Sequence, residues 1–558
     1  MKDCRADTGG WNTAGSGLLW SKFSFPIFYL PESQTTEELY QCYLAHNTPT
    51  LAWPLCSVEM KANMNAATDS KTCIRRSNLN NNLEPVHFCD ALSDINIHYS
   101  MVEDSSNKQV VLVTARLDTV TMFDQTEVGF DSPVTGLVTL LSTASIVSQA
   151  VKAASWTGQV DNVIFLLLNG ESWDNTGTSR FIYDLEQGDF VTNLSLADIH
   201  TVVELGQLSN INTNTVFLHT INTPADVESA LQKYASGLLA VETSSIPSVP
   251  PSSIARLVSA RPDLPAVMLT NYDVEFSNLY YHSLYDTAGR HGYNVSLGPG
   301  QPVVQHLANI SLVVARTILS LTTTQADLSS VSADPGLVTG LLECYSVTAN
   351  CSMFKAASNS DSEFPWTGPR VTKPWPQYVS VVTSPHTRLS KQLLQLLTGT
   401  QVELKEKEEQ GEVKKKKSWW KEASEECSGL DSGSRPQVSH VYLVGGPDCY
   451  ENNTVVCGRC YQNTVSQSDA TSPVFMKEVR RDYDWASGEF PTWTESVWKS
   501  FSARSFLQGS PGHDHLVFGV GLSVLVVSLL LGWWTSSKAT ILFSPSGEEV
   551  HLASSLAT

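Results

Sequence analysis

Positive charge is scarce in this chain. Its 558 residues hold 36 lysines and arginines against 56 aspartates and glutamates, a formal net charge of −20. That balance argues against nucleic acid as the main partner, because phosphate binding needs a basic face. Zinc-finger cysteine pairing is missing too. Eleven cysteines occur, but Cys457-Gly-Arg-Cys460 stands alone, without a second CxxC, so a structural zinc site is not expected. Residues 1–24 contain no apolar core of the kind a signal sequence needs, about 7–15 residues long. Either membrane insertion uses a later segment or the chain lacks its true beginning. A truncated gene model is the expectation, and an unpaired Cys4 fits it if its partner lay upstream. No internal repeat stands out.

What is present describes a folded secretory protein. Hydrophobic residues make up 42% and charged residues 16%, enough apolar content to bury a core. At about 150 residues per domain the length allows two or more folded units. Five Asn-x-Ser/Thr sequons occur, at Asn193, Asn294, Asn309, Asn350 and Asn452, and close cysteine pairs such as Cys42/Cys56 and Cys73/Cys89 suit small disulfide loops. Together they point to the secretory pathway. Leu516 to Trp534 is uncharged. As a helix it spans about 28 Å, near the thickness of a bilayer's hydrocarbon core, with Trp533 and Trp534 at one interface. Lys499 and Arg504 before it and Lys538 after it do not set the orientation. The sequons and cysteines do, placing the preceding residues outside and the last two dozen in the cytosol.

Continuous apolar runs at Val110–Thr114, Val163–Leu168 and Val202–Leu205 read as strands buried on both faces. Helical periodicity covers Thr35–His46, Gly136–Ala153 and Ser179–Glu186, and strand-like or helical stretches continue through Ala255–Arg261, Ala266–Thr270 and Pro302–Leu321. Phe23–Leu30 reads as a strand entering a domain, and 47–100 as loop-rich. The alternation predicts an α/β fold, a mainly parallel sheet flanked by helices. The expected organisation is a partial N-terminal lobe at 1–90, the α/β domain at 91–400, a charged insert at 401–440 and a membrane-proximal region at 441–515. A transmembrane helix at 516–535 and a tail at 536–558 complete it. Glu403–Glu422 lacks apolar periodicity and reads as a solvated or disordered loop, or a spurious insertion.

Open α/β sheets place their sites beyond the carboxyl ends of strands. There the chain carries Arg116 and Asp118, then Asp131-Ser132, then Glu171-Ser172, then Glu204-Leu205-Gly206, then His282-Ser283. This order resembles the zinc aminopeptidase and glutamate-carboxypeptidase family. The resemblance implies about five N/O ligands for two zinc ions, with a glutamate as general base. Arg116 stands at the first histidine and cannot coordinate. Asp118, which would orient that histidine, remains. Ser132 stands at the bridging carboxylate, Ser172 at a ligand glutamate and Gly206 at the next aspartate. His282 alone survives as a ligand, and Glu171 keeps the base position. Asp118 and Arg116 read equally as a structural ion pair, and His282 as a hydrogen-bonded core histidine. A carboxylate at Glu171 can also receive a peptide amine.

Three stretches narrow the resemblance. Gly170–Arg180, Phe490–Lys499 (FPTWTESVWK) and Phe23–Phe28 with Gln41-Cys42-Tyr43 resemble segments of the nicastrin family. Asn175, Thr176 and Thr178 depart from that family's Tyr, Ile and Ser. The resemblance implies a non-catalytic subunit of the γ-secretase complex, with no cofactor, assembling with presenilin and the small membrane subunits APH-1 and PEN-2. It implies a single-pass type I protein of the secretory pathway and plasma membrane. That protein would help select ectodomain-shed type I substrates, as in Notch and amyloid-precursor processing. Glu171, with Asp174 and Thr178, becomes the candidate substrate site. Disulfides Cys42–Cys56, Cys73–Cys89 and Cys427–Cys460 are implied, with Cys344/Cys351 and Cys449/Cys457 as extra local pairs. Two other readings stand beside it. One is a membrane-anchored zinc metallopeptidase recruiting Asp131, Glu204 and His282. The other is a protein resembling transferrin receptor, against which the C-terminal position of the span argues.

Overall fold

Alternate residues along each apolar run face opposite sides of one sheet, and the fold follows from that period of two. The structure is a computed structural model. It describes residues 10–25, 27–30, 33–48, 53–65, 67–77, 86–102, 109–123, 128–153, 162–190, 194–209, 213–323, 328–358, 371–404, 419–433, 438–443 and 458–542. Two units emerge, Met1–Pro26 with Asn65–Val497, and Ile27–Met64 with Trp498–Thr558.

The larger unit is built on eight strands: β1 (Ile95–Ser100), β2 (Val110–Arg116), β3 (Asn162–Leu168), β4 (Ile199–Leu205), β5 (Thr215–Ile221), β6 (Ala240–Thr243), β7 (Ala266–Thr270) and β8 (Val465–Asp469). Their order is β8-β1-β3-β2-β4-β7-β5-β6. The central four, β3, β2, β4 and β7, are mutually parallel. Antiparallel strands β1 and β8 extend one edge, and β5 runs antiparallel to β7 on the other. Val111, Val113 and Ala115 of β2 face α1 (Gly136–Ala153), α4 (Pro302–Thr322), α5 (Pro335–Ser346) and α6 (Pro385–Thr398). Val110 and Leu112 face the other way, onto α2 (Thr176–Gln187) and α3 (Ser253–Ala260). The result is a three-layer α/β domain with a mainly parallel sheet, as the sequence predicts.

Some expectations change. Phe23–Leu30 forms no strand where it is described, and Phe25 is 60% exposed. The stretch 47–100, expected to be loop-rich, contains the strand Leu55–Met64, the helix Ser70–Ser77, the strand Cys89–Ala91 and β1. Of the charged run, 405–418 lie outside the described residues, but a helix begins at Trp419 and continues to Gly429. The region 441–497 contributes β8 to the large sheet and belongs to the larger unit.

In the smaller unit, Leu55–Met64 pairs antiparallel with Trp498–Gln508, and Cys42–Cys56 ties the helix Gln34–His46 to it. A further helix, α7, runs Pro511–Leu542. Among the described residues three helices are long and apolar enough to cross a membrane, but burial separates them. The segments Phe130–Ala153 and Pro302–Thr322 are 89% and 78% buried in protein, whereas Pro511–Ala539 is 0% buried. The last is the candidate span. Disulfides Cys73–Cys89, Cys344–Cys351 and Cys427–Cys460 also form. Cys4, Cys449 and Cys457 lie outside the described residues.

Helix α1 starts hard against the end of β4. A Cβ on Gly136 would stand 2.4 Å from the Leu205 carbonyl oxygen and 2.8 Å from that of Gly206. Gly136→Ala is therefore expected to cost about 1–3 kcal/mol through overpacking, read as a lowered thermal midpoint. An unchanged midpoint would show that the helix start is not closely packed.

Candidate functional site

The carboxyl ends of β2, β3 and β4 bring three acids together. Asp118 follows β2 and is 1% exposed. It does not pair directly with Arg116. Its carboxylate accepts the amides of Glu171 at 2.7 Å and Ser172 at 2.9 Å, which fixes the turn after β3. Gly170 makes that turn in the left-handed region at φ 76°, a conformation glycine adopts without a Cβ clash.

The turn delivers Glu171, 4% exposed, to the N-terminus of α2. Its Oε1 accepts the Thr178 amide at 2.8 Å. Its Oε2 accepts Asn175 Nδ2 at 2.9 Å, Thr178 Oγ1 at 2.7 Å and Ser253 Oγ at 2.7 Å. The carboxylate thus accepts four hydrogen bonds from within the chain, one at Oε1 and three at Oε2. Glu204, the corresponding acid at the end of β4, accepts the amides of Ser253 at 3.3 Å and Ile254 at 2.9 Å, the first residues of α3. Two helix N-termini thus hold two buried glutamates, where unpaired amides and the helix dipole favour negative charge. Ser253 joins them, its amide to Glu204 and its hydroxyl to Glu171. Sequence reasoning passed over Ser253; the available signal was the Pro-Pro-Ser-Ser run before an apolar helix.

Arg116 supplies the cation. Its Nη1 lies 3.4 Å from the Tyr281 hydroxyl. Burial works against its charge, but the fields of Tyr281, Asp118, Glu204 and Glu171 outweigh that and hold its pKa up. Asp118 is pushed up to about 6, chiefly by burial and despite Arg116. Burial raises Glu204 as well. His282 stacks on Tyr281 at 3.8 Å with a left-handed φ of 55°. Burial, then Arg116, drives it down to about 3. It is not the hydrogen-bonded histidine expected, since its buried Nε2 has no partner among the described residues.

The other predicted positions are similarly committed. Asp131 accepts Ser209 N at 2.9 Å and Asn271 Nδ2 at 3.0 Å. Ser132 donates its amide toward Asp286 at 3.4 Å. Ser172 Oγ lies 3.4 Å from the Asp118 carbonyl. Gly206 N donates to Leu269 O at 3.0 Å, and a Cβ there would stand 2.6 Å from the Met268 methyl carbon. Among the described residues no three His, Cys, Asp or Glu side chains are grouped to hold a metal. Asp131, Glu204 and His282 are therefore not brought together as an alternative ligand set. Asp174 is exposed and accepts Trp493 Nε1 at 2.7 Å, linking the turn after β3 to the Phe490–Lys499 segment.

A feature the sequence did not signal lies alongside. Trp11 is 3% exposed and sits edge-on to His219, ring centroids 5.0 Å apart. Ring contacts then continue through Tyr272, Phe276 and Tyr281 to His282. Asn12 N bonds Val274 O at 3.0 Å, and Glu275 accepts the Thr13 and Ala14 amides. Of the sequons, Asn294 and Asn350 are exposed. Asn309 is half-buried within α4 and its Ser311 is fully buried, so a glycan there would disrupt helix packing. Asn193 and Asn452 lie outside the described residues.

The chain thus carries a peptidase-like sequence order on a mainly parallel α/β sheet, with Arg116, Ser132, Ser172 and Gly206 at positions where the resemblance implies metal-site residues. Residues 109–319 match the nicastrin large lobe and residues 2–66 the nicastrin small lobe. Human nicastrin is 31% identical over 574 residues, covering 96% of this chain and 76% of the relative. Nicastrin of Arabidopsis thaliana is 28% identical over 361 residues, covering 60% and 50%. A crystal structure of the gamma-secretase component nicastrin superposes with a TM-score of 0.62 at 20% identity, covering 89% of this chain and 80% of that one, a likeness of fold. The chain belongs to the nicastrin family.

Asp118 and Glu204 are both held above their unfolded values. Such groups contribute stability that is full below the unfolded carboxylate range near about 4 and is lost as pH rises through the folded value, about 6 for Asp118. Arg116→Met removes the cation that pulls both down. Denaturant titrations should show the variant losing about 1–3 kcal/mol more than wild type between about pH 5 and pH 7.5. An unaltered pH slope would mean that Arg116 does not face these carboxylates.

Proposed function

We propose that this chain is the non-catalytic, ectodomain-bearing subunit of a γ-secretase complex. It assembles with presenilin, APH-1 and PEN-2, and presenilin supplies the aspartates that cut substrate within the membrane. The chain is a single-pass type I protein of the secretory pathway and plasma membrane, anchored by α7. It helps select ectodomain-shed type I substrates of the Notch and amyloid-precursor kind. Family membership supports the assembly. One observation carries the reading of the site: Glu171 is buried and accepts four hydrogen bonds from within the chain.

That shell of internal donors favours one of two roles for Glu171. To bind a substrate amine, the buried carboxylate would first have to be uncovered from beneath Asn175, Thr178 and Ser253. We read Glu171 as an organiser of the turn after β3 and the starts of α2 and α3, with Thr178 as its main internal partner. Asp174, exposed on the same turn, is the candidate left facing outward. Selection then rests on the shape of the ectodomain rather than on one acid. The metallopeptidase reading finds no support in this donor set, because the acids it needs are already bonded to amides and hydroxyls.

Glu171→Gln tests this. The amide group turns an –NH₂ toward at least one of four donors, and hydrogen bonds to a charged acceptor are worth about 1.5–3 kcal/mol each. The full-length variant is expected to fold poorly and to copurify with presenilin at a fraction of the wild-type yield from detergent-solubilised membranes. Normal copurification combined with lost substrate capture would place Glu171 at the substrate instead.

A further inference from the structure

Residues 271–294 hold Tyr281 and His282 beside Arg116, yet the only regular structure there is one short turn, Ala288–His291. Asp286, 1% exposed, fixes the loop. Its carboxylate accepts the amides of Asp131 at 3.1 Å and Ser132 at 3.4 Å, while Phe130 N donates to its carbonyl at 2.9 Å. Asp131 is itself fully buried. Two carboxylates therefore meet away from water, an arrangement that is costly unless a cation joins them.

His291 stands in that position. Its Nε2 lies 2.8 Å from Asp286 Oδ1 and its Nδ1 2.8 Å from Ser209 Oγ. Ser209 N closes the ring by donating to Asp131. The imidazole stacks on Phe130 at 5.3 Å. The charged groups around it come from three elements. Asp286 belongs to its own loop, and Asp131 to the facing segment Phe130–Thr135. The neighbouring Arg290 is turned away, onto the Tyr280 ring at 5.2 Å. Glu343 of α5 acts on Tyr293, two residues along. After β4, Gln207 and Ser209 are neutral.

We propose that His291 is a proton-operated latch: its imidazolium holds the Tyr281–His282 loop against Phe130–Thr135, and its neutral form leaves Asp131 and Asp286 without a cation and lets the loop loosen. Burial alone would lower the His291 pKa, but the Asp286 hydrogen bond and the fields of Asp131 and Asp286 outweigh it and raise the value. A histidine raised on folding contributes stability that is full below about 6.5 and is lost as pH rises through the folded value. Mildly acidic surroundings therefore close the latch, and alkaline ones release it. The latch belongs to the fold and holds whether or not the chain assembles as proposed above.

Amide exchange of the full chain in detergent micelles reads the latch directly. Peptides covering 128–136 and 280–293 are followed by mass spectrometry at about pH 6 and about pH 8, with intrinsic exchange rates corrected. Protection in both is expected to fall several-fold at the higher pH, the direction set by a histidine raised on folding, while peptides within α1 hold steady. His291→Gln keeps a donor toward Asp286 but cannot titrate, so its peptides should show low protection at both values. Asp131→Asn removes one carboxylate and should shrink the pH effect. Flat wild-type protection, or an equal fall in His291→Gln, overturns the latch; if a variant fails to fold, the wild-type result decides alone.

Discussion

Two buried glutamates, each at the start of a helix, set the chemistry of this domain. Glu171 and Glu204 stand at the carboxyl ends of β3 and β4, the parallel strands that flank β2, where an open α/β fold gathers its functional groups. A buried carboxylate needs compensation. Here it comes from the amides of α2 and α3, from three side-chain donors, and from the Arg116 field. The turn after β3, the packing of α2 and α3, and the seat of Tyr281 all depend on that arrangement. Removing any one donor leaves charge buried with too few partners, which explains why so many neighbouring polar groups are fully engaged.

The same arrangement occupies the acids of a peptidase-like outline with internal hydrogen bonds. Zinc would have to draw its acidic ligands from Asp131 and Glu204, which already accept backbone amides, beside a guanidinium that cannot leave. Arg116 supplies fixed positive charge near three acids without forming a close ion pair. Charge is thereby provided covalently by the chain, and the surroundings are free to serve as a scaffold. The aromatic series from Trp11 to His282 and the Asp174–Trp493 bond then tie distant parts of the large unit to that scaffold.

Much of the fold was legible. VVLVT, VIFLLL and VVEL announced parallel strands because residues buried on both faces leave an unbroken apolar run. Strands β1 and β8 were hidden because INIHYS and VSQSD are too polar to look buried, and only pairing with β3 and with each other reveals them. Phe23–Leu30 looked like a strand by composition, but pairing is a property of a partner, which a local pattern cannot supply. At the site, Arg116, Ser172 and Gly206 were readable as losses, since ligand chemistry belongs to residue type. The set of internal donors around Glu171 was not readable, because Ser253 lies 82 residues away in sequence and reaches it only through the fold. His291 was invisible for the same reason.

The acids at the sheet's carboxyl edge take their partners from within the chain, and zinc would compete with those bonds. Isothermal titration of zinc into the purified full-length protein, paired with elemental analysis of the untreated protein, tests it most directly. The account predicts no stoichiometric zinc in the untreated sample and no saturable binding that Glu171→Gln or His282→Phe abolishes. Two zinc ions per chain, lost in those variants, would contradict it.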